Sequence, residues 1–119
     1  MIHHKRWKSW AIAIAAILLI FSGSFPAVAA DSMPNSVEGA ELFEANCAGC
    51  HPNGGNIIRR GKNLRKNTLK RHHLDSLEAI ARKVQEGKNP MPAYGDRLSS
   101  EQIEAVSAYV LSQAERGWK

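Results

Sequence analysis

Apolar residues recur at helical spacing in three stretches of the chain, and runs rich in glycine, proline and asparagine separate them. From Val37 to Asn46 the composition and period predict a short first helix, with Gly39 and Phe43 on one face. Leu77, Ile80, Ala81 and Val84 form a second apolar face that opens after Leu74-Asp75-Ser76 and stops at Gly87. Ile103, Val106, Tyr109 and Val110 stripe a third helix. At its start Ser99 and Gln102 have capping-box spacing, and Glu101 suits the positive end of the helix dipole. Because Gly39 has no side chain, Tyr109 is expected to pack across it beside Phe43. Between helices, 52–56 is a cluster of turn residues, and in 87–95 Pro90 and Pro92 bracket Met91. The pattern predicts an all-α domain of helices joined by long irregular segments.

The first residues fall outside that pattern. Lys5, Arg6 and Lys8 precede an unbroken apolar run of 11 residues, Ala11 to Phe21, and Pro26-Ala27-Val28-Ala29-Ala30 ends in small residues. This is the layout of an export signal cleaved after Ala29 or Ala30. Spanning a bilayer core takes about 20 residues, so an uncleaved anchor is the lesser alternative. The expected organisation is a cleaved signal over 1–29 and one domain over 30–119. Ninety residues make a marginal core, since chains this short bury only about 60% of their unfolded surface. A buried cofactor would offset that deficit.

Export also changes the meaning of charge. The whole chain is +5, but residues 30–119 carry 13 Lys and Arg against 11 Asp and Glu, a net charge of +2. A high whole-chain pI is then no sign of nucleic-acid binding. The cations are unevenly placed: Arg59, Arg60, Lys62, Arg65, Lys66, Lys70 and Arg71 lie in 59–73 with His72 and His73 and without a carboxylate. This stretch reads either as a solvated basic loop or as a docking patch for an acidic partner, carried by Arg59, Arg60, Lys62, Arg65 and Lys66. It has no aromatic residue for base stacking, which argues against nucleic acid, and an anionic membrane surface is a further reading.

The first helix runs into Cys47-Ala48-Gly49-Cys50-His51. C-x-x-C-H is the spacing that attaches haem covalently: each thiol adds across a vinyl group, and the histidine ligates the iron. A redox disulfide would want a strand–helix–strand context, whereas the preceding segment reads as helix. Structural zinc would want four ligands, and the other candidates downstream are only His72 and His73. For the second axial position Met91 is the candidate. It lies 40 residues beyond His51, and its flanking prolines would hold the sulfur with little entropy to lose. The competing readings make Met91 a core filler, with His72 or His73 as the ligand. Two strong axial ligands would leave no site for substrate, so the chemistry expected is outer-sphere electron transfer without enzymatic activity.

A glycine and an aromatic four apart, C-A-G-C-H, the Gly54-Gly55-Asn56 turn, Gly87-Lys88 with Met91-Pro92-Ala93-Tyr94, and a last helix with a buried tyrosine together resemble the class I c-type cytochromes. Within that class the chain is most similar to the cytochrome c6 family. The resemblance implies a helical crevice around one haem c, with Cys47 and Cys50 as thioethers, His51 and Met91 axial, and an exposed haem edge. It implies a soluble monomer in the thylakoid lumen or periplasm that takes electrons from a cytochrome f-like donor in the b6f complex and passes them to photosystem I or a terminal oxidase. Two departures suggest a c6-like paralogue: Lys83 stands where high-potential members have glutamine, and 57–73 is unusually basic. A five-coordinate haem sensor and a haem subunit of a larger complex are the alternatives.

Overall fold

The structure, a computed structural model, describes residues 36–119. The export segment, its cleavage point and Met33 lie outside the described residues.

Helix α1, Ser36–Asn46, buries Gly39 and Phe43, and the last helix of the chain, Ser100–Arg116, lies across it. A Cβ at Gly39 would collide with the carbonyl oxygen of Ala105 and stand 3.0 Å from Tyr109 Cβ, so only glycine allows the two backbones this close. Phe43 then meets Tyr109 with ring centroids 5.4 Å apart, as expected from the sequence. Burying a phenylalanine of this kind contributes about 2 kcal/mol.

Two further helices lie between these. Helix α2, Lys66–Arg71, buries Thr68 and Leu69, and α3, Leu77–Glu86, turns Ile80 and Val84 inward. The long last helix is α4. Its N-cap is the predicted capping box: Ser99 Oγ accepts from Gln102 N at 3.2 Å, and Gln102 Oε1 accepts from Ser99 N at 3.0 Å. Ser76 caps α3 in the same manner through Ala79 N. Short 3-10 turns occupy Pro52–Gly54 and Arg60–Lys62. Among the described residues there is no strand, only an isolated bridge between Lys88 and Met91. No described helix is long and apolar enough to cross a membrane.

Helix α2 changes one expectation, since part of the basic stretch is ordered helix. Two adjacent anchors leave no i, i+4 repeat from which a period could be read. The C-terminus brings a second finding. Gly117 takes a left-handed conformation (φ 74°) and Trp118 N bonds Gln113 O at 2.9 Å, which folds Trp118 back. Its ring packs 5.1 Å from Phe43 and edge-on to Tyr109, covers Gly54, and donates from Nε1 to Leu64 O at 3.0 Å. The core formed in this way holds Phe43, Leu69, Ile80, Val84, Tyr94, Ile103, Val106, Val110 and Ala114.

Candidate haem site

At the end of α1 the helical bonding tightens into a turn. Cys47 N and Ala48 N both bond Phe43 O, and Cys50 N and His51 N both bond Cys47 O at 3.1 and 2.8 Å. Both thiols and the imidazole are thereby held within one turn of backbone. The next turn orients the ring: His51 Nδ1 lies 2.8 Å from Gly55 O. A carbonyl oxygen can only accept, so Nδ1 carries a proton, and in the neutral ring the lone pair is then on Nε2. That is the arrangement by which outer hydrogen bonds aim a metal-ligating histidine.

Cys47 does not have the character of a redox thiol. Burial, and then the neighbouring Cys50, push the Cys47 thiol up to about 11, so it is neutral at physiological pH. Disulfide exchange calls for the opposite shift. Both cysteines are free, and among the described residues no group of three His, Cys, Asp or Glu side chains is arranged to hold a metal ion. The disulfide and zinc readings therefore gain no support.

Met91 is delivered to the same cavity by a loop tied at three points. Lys88 and Met91 exchange two backbone bonds of 3.0 and 2.9 Å, and Tyr94 N and Gly95 N bond Val84 O and Gln85 O at the end of α3. Gly87 is required here twice over. Its φ is +66°, and a Cβ would stand 2.7 Å from Ala93 N. The third tie crosses to the cysteine wall, where Tyr94 Oη donates to Asn46 O at 2.8 Å. Burial raises the Tyr94 hydroxyl pKa and Cys47 adds to this, against the Arg97 guanidinium over its ring. The sequence reading named Tyr94 only as part of the loop motif and gave it no role, although a buried tyrosine needs a partner for its hydroxyl.

Cys47, Cys50, His51 and Met91 line one cavity of about 320 Å³, walled by Leu64, Leu69, Ile80, Val84, Val106 and Val110. Arg59, Lys62, Lys83 and Lys88 also line it, and no Asp or Glu does. Two free thiols, a histidine with Nδ1 engaged, a thioether, apolar walls and cations unopposed among the lining residues fit a haem with its two carboxylates. Lys83 is half-buried in this wall, whereas Arg59, Lys62 and Lys88 are exposed.

The remaining predicted residues separate. His72 lines the cavity with Lys62 Nζ 3.3 Å from both ring nitrogens, so it is more than a surface histidine. His73 is exposed and does not line the cavity. Arg59, Arg60, Lys62, Arg65 and Lys66 are all exposed, but Lys66 is engaged by Glu115 at 2.6 Å, the one ion pair among the described residues.

Known proteins share both the sequence and this arrangement. The family described as cytochrome c oxidase, cbb3-type, subunit III, matches residues 34–110. A cytochrome c6-like protein of Nostoc sp. strain PCC 7120 is 51% identical over 94% of this chain and 98% of its own length. Cytochrome c6C of Synechococcus sp. PCC 7002 is 59% identical over 66% of this chain and 96% of that one, with a TM-score of 0.65. Cytochrome c6B of Synechococcus sp. WH8102 is 54% identical over 69% and 93%, with a TM-score of 0.66. Agreement of this order, along a helical shell that ends in a haem-attachment turn, carries cofactor and role with it: this chain belongs to the cytochrome c6 family, electron carriers with one covalent haem c.

Proposed function

We propose that the protein is an exported, soluble carrier in which Cys47 and Cys50 anchor the haem as thioethers and His51 and Met91 are its axial ligands. The observation that carries this reading is the His51 imidazole, whose Nδ1 is taken by Gly55 O and whose Nε2 is left for a metal in a cavity shared with Met91. When bound, the haem supplies a one-electron ferric/ferrous couple. The chain holds and tunes it. Gly55 O fixes the imidazole, the Lys88–Met91 bridge and Tyr94 fix the methionine loop, and the apolar walls exclude water. The four cavity cations and the thioether both favour the less positive, reduced state.

The first 29 or 30 residues serve as the cleaved signal, leaving a single domain in the thylakoid lumen or periplasm. A cytochrome f-like protein is the proposed donor, and photosystem I or a terminal oxidase the acceptor, with Arg59, Arg60, Lys62 and Arg65 facing them. Lys66 contributes less, because Glu115 already neutralises it. Lys83 and the basic segment make a c6-like paralogue the finer assignment. Membership of a family of carriers speaks against the sensor, and Met91 has Pro90 and Pro92 beside it rather than polar distal groups.

A spectroscopic redox titration of the haem-loaded protein tests this. A six-coordinate spectrum with the far-red band of iron–methionine coordination and a positive potential is expected. Met91→Ala should abolish the band and lower the potential by on the order of 0.1 V. A parent without the band, or a potential indifferent to that substitution, would remove Met91 from the iron.

A further inference from the structure

The carrier reading gives His72 no task, yet its placement is not that of a surface residue. Helix α2 turns Thr68 and Leu69 into the cavity, and His72 follows one turn later on the same face, half-buried and lining the cavity with them. The helix end fixes it there. His72 N bonds Thr68 O and Leu69 O, both at 3.1 Å, while His73, at a left-handed φ of 55°, is exposed and outside the lining.

Lys62 meets the imidazole with Nζ 3.3 Å from both ring nitrogens. Its backbone is held, since Lys62 N bonds Arg59 O at 2.8 Å and Lys62 O accepts from Asn56 Nδ2 at 3.0 Å. An ammonium group has only donors, so this contact suits a ring with one unprotonated nitrogen. With both nitrogens protonated it becomes two cations in contact, which calls for an anion beside them. No Asp or Glu among the described residues lines the cavity, so the anion that fits there is a carboxylate of the haem.

The other charged groups lining the cavity are Arg59 ahead of α2, Lys83 on α3 and Lys88 in the methionine loop, and the chain neighbours Arg71 and Asp75 are exposed. Burial raises the Tyr94 hydroxyl pKa and pushes the Cys47 thiol up to about 11, so neither changes charge near neutral pH. The His51 ring is committed to Gly55 O and, in the carrier reading, to the iron. Between about pH 5 and 8 histidine is the side chain that gains or loses charge. His72 is therefore the group in this wall whose charge can follow that of the iron.

We propose that His72 takes up a proton as the protein is reduced: the donor supplies one electron, the cavity becomes less positive by one charge, and a ring nitrogen of His72 binds up to one proton from water. This rests on the carrier reading and adds to it a proton that moves with the electron. The coupling is reciprocal, so a protonated His72 favours the reduced state in turn. The potential is then highest at low pH, falls as pH rises through the titration of His72, and levels off where the ring is neutral in both oxidation states. Reduction should tighten proton binding about fivefold, the lower end of such couplings, because the ring is only half-buried. At about 59 mV per tenfold for a one-electron couple, the whole fall is about 40 mV.

The test is the potential of the haem-loaded protein measured by spectroelectrochemistry between about pH 5 and 8. The parent should show the fall, His72→Gln should remove most of it, and His73→Gln should leave it in place. In the parent itself, proton NMR of the His72 ring should give a titration midpoint about 0.7 pH unit higher in the ferrous than in the ferric protein, the same fivefold ratio. That measurement decides the matter even where a variant does not fold. A parent potential indifferent to pH, a parental slope retained in His72→Gln, a slope lost in His73→Gln instead, or equal ring midpoints in the two oxidation states would overturn the assignment. The far-red band reports separately on whether His51 and Met91 hold the iron.

Discussion

The α1–α4 contact and the segment 52–73 wall the same cavity with different physics. Between the helices, Gly39, Phe43, Tyr109 and, folded back from the C-terminus, Trp118 interlock, so the contact is made of apolar area and ring packing. Along 52–73 inward-facing anchors are few, chiefly Leu64, Thr68 and Leu69, and backbone polar groups are satisfied locally by Asn56, Asn63 and short turns. The first wall sets stability. The second sets shape, and it carries two of the four cavity cations, Arg59 and Lys62, together with the exposed isoleucines.

The sharpest way to break that contrast is to add one carbon to the first wall. In Gly39→Ala the new methyl would run into Ala105 O, a backbone atom that cannot move without shifting α4. A loss of about 3 kcal/mol is expected, lowering the melting temperature of the haem-loaded protein by on the order of 15 °C. A melting temperature within a degree or two of the parent's would mean that α4 yields easily and that the clasp is not the rigid element.

This asymmetry also explains what the sequence made legible. Helices α1, α3 and α4 announce themselves because their buried residues recur at 3.6-residue spacing and serine caps mark two of their starts. Even the Gly39–Tyr109 approach could be anticipated, because a glycine facing an aromatic stripe has few other uses. The C-x-x-C-H turn was visible by its fixed spacing, and the loop that brings Met91 to the cavity was marked by its prolines. What stayed hidden depends on chain reversal and on side chains bonded to distant backbone. Tyr94 reaches Asn46 across 48 residues and Trp118 reaches Leu64 across 54, and no local period encodes either. Helix α2 was hidden because it is short and anchored by adjacent residues. Asn56 looked like one turn residue among several, yet it ties the backbone of 58–62 at the cavity.

For the second wall, Asn56→Ala removes an acceptor for two backbone N–H groups and a donor to Lys62 O. Because these groups are near water, the global cost should be only about 1 kcal/mol. The local effect should be clearer: amide exchange at Ile58 and Arg59 should quicken roughly fivefold, with protection in α4 nearly unchanged. Equal acceleration in both places would show that the two walls open together and that the distinction between them is one of appearance.

The smallest effect should separate the walls by charge. Segment 52–73 has no carboxylate, whereas Glu78 and Glu101 sit in the first turns of α3 and α4. There the residue's own backbone N–H, and then the Ser76 or Ser99 hydroxyl, hold each carboxyl below its ordinary 4.5. Both carboxylates are ionised in the folded and unfolded chain above pH 4.5, so their contribution is complete there. As pH falls below 4.5 the unfolded chain takes up protons first, and stability declines until the folded carboxyls are protonated as well. Urea midpoints of the haem-loaded protein should fall slightly through that window, and Glu78→Gln/Glu101→Gln should flatten the decline. A double variant that loses stability with acid as steeply as its parent would move the sensitive groups away from the helix starts. An unaltered midpoint at neutral pH in Arg65→Gln would in turn keep the basic segment out of the stability account, since surface charges without a partner contribute little to folding.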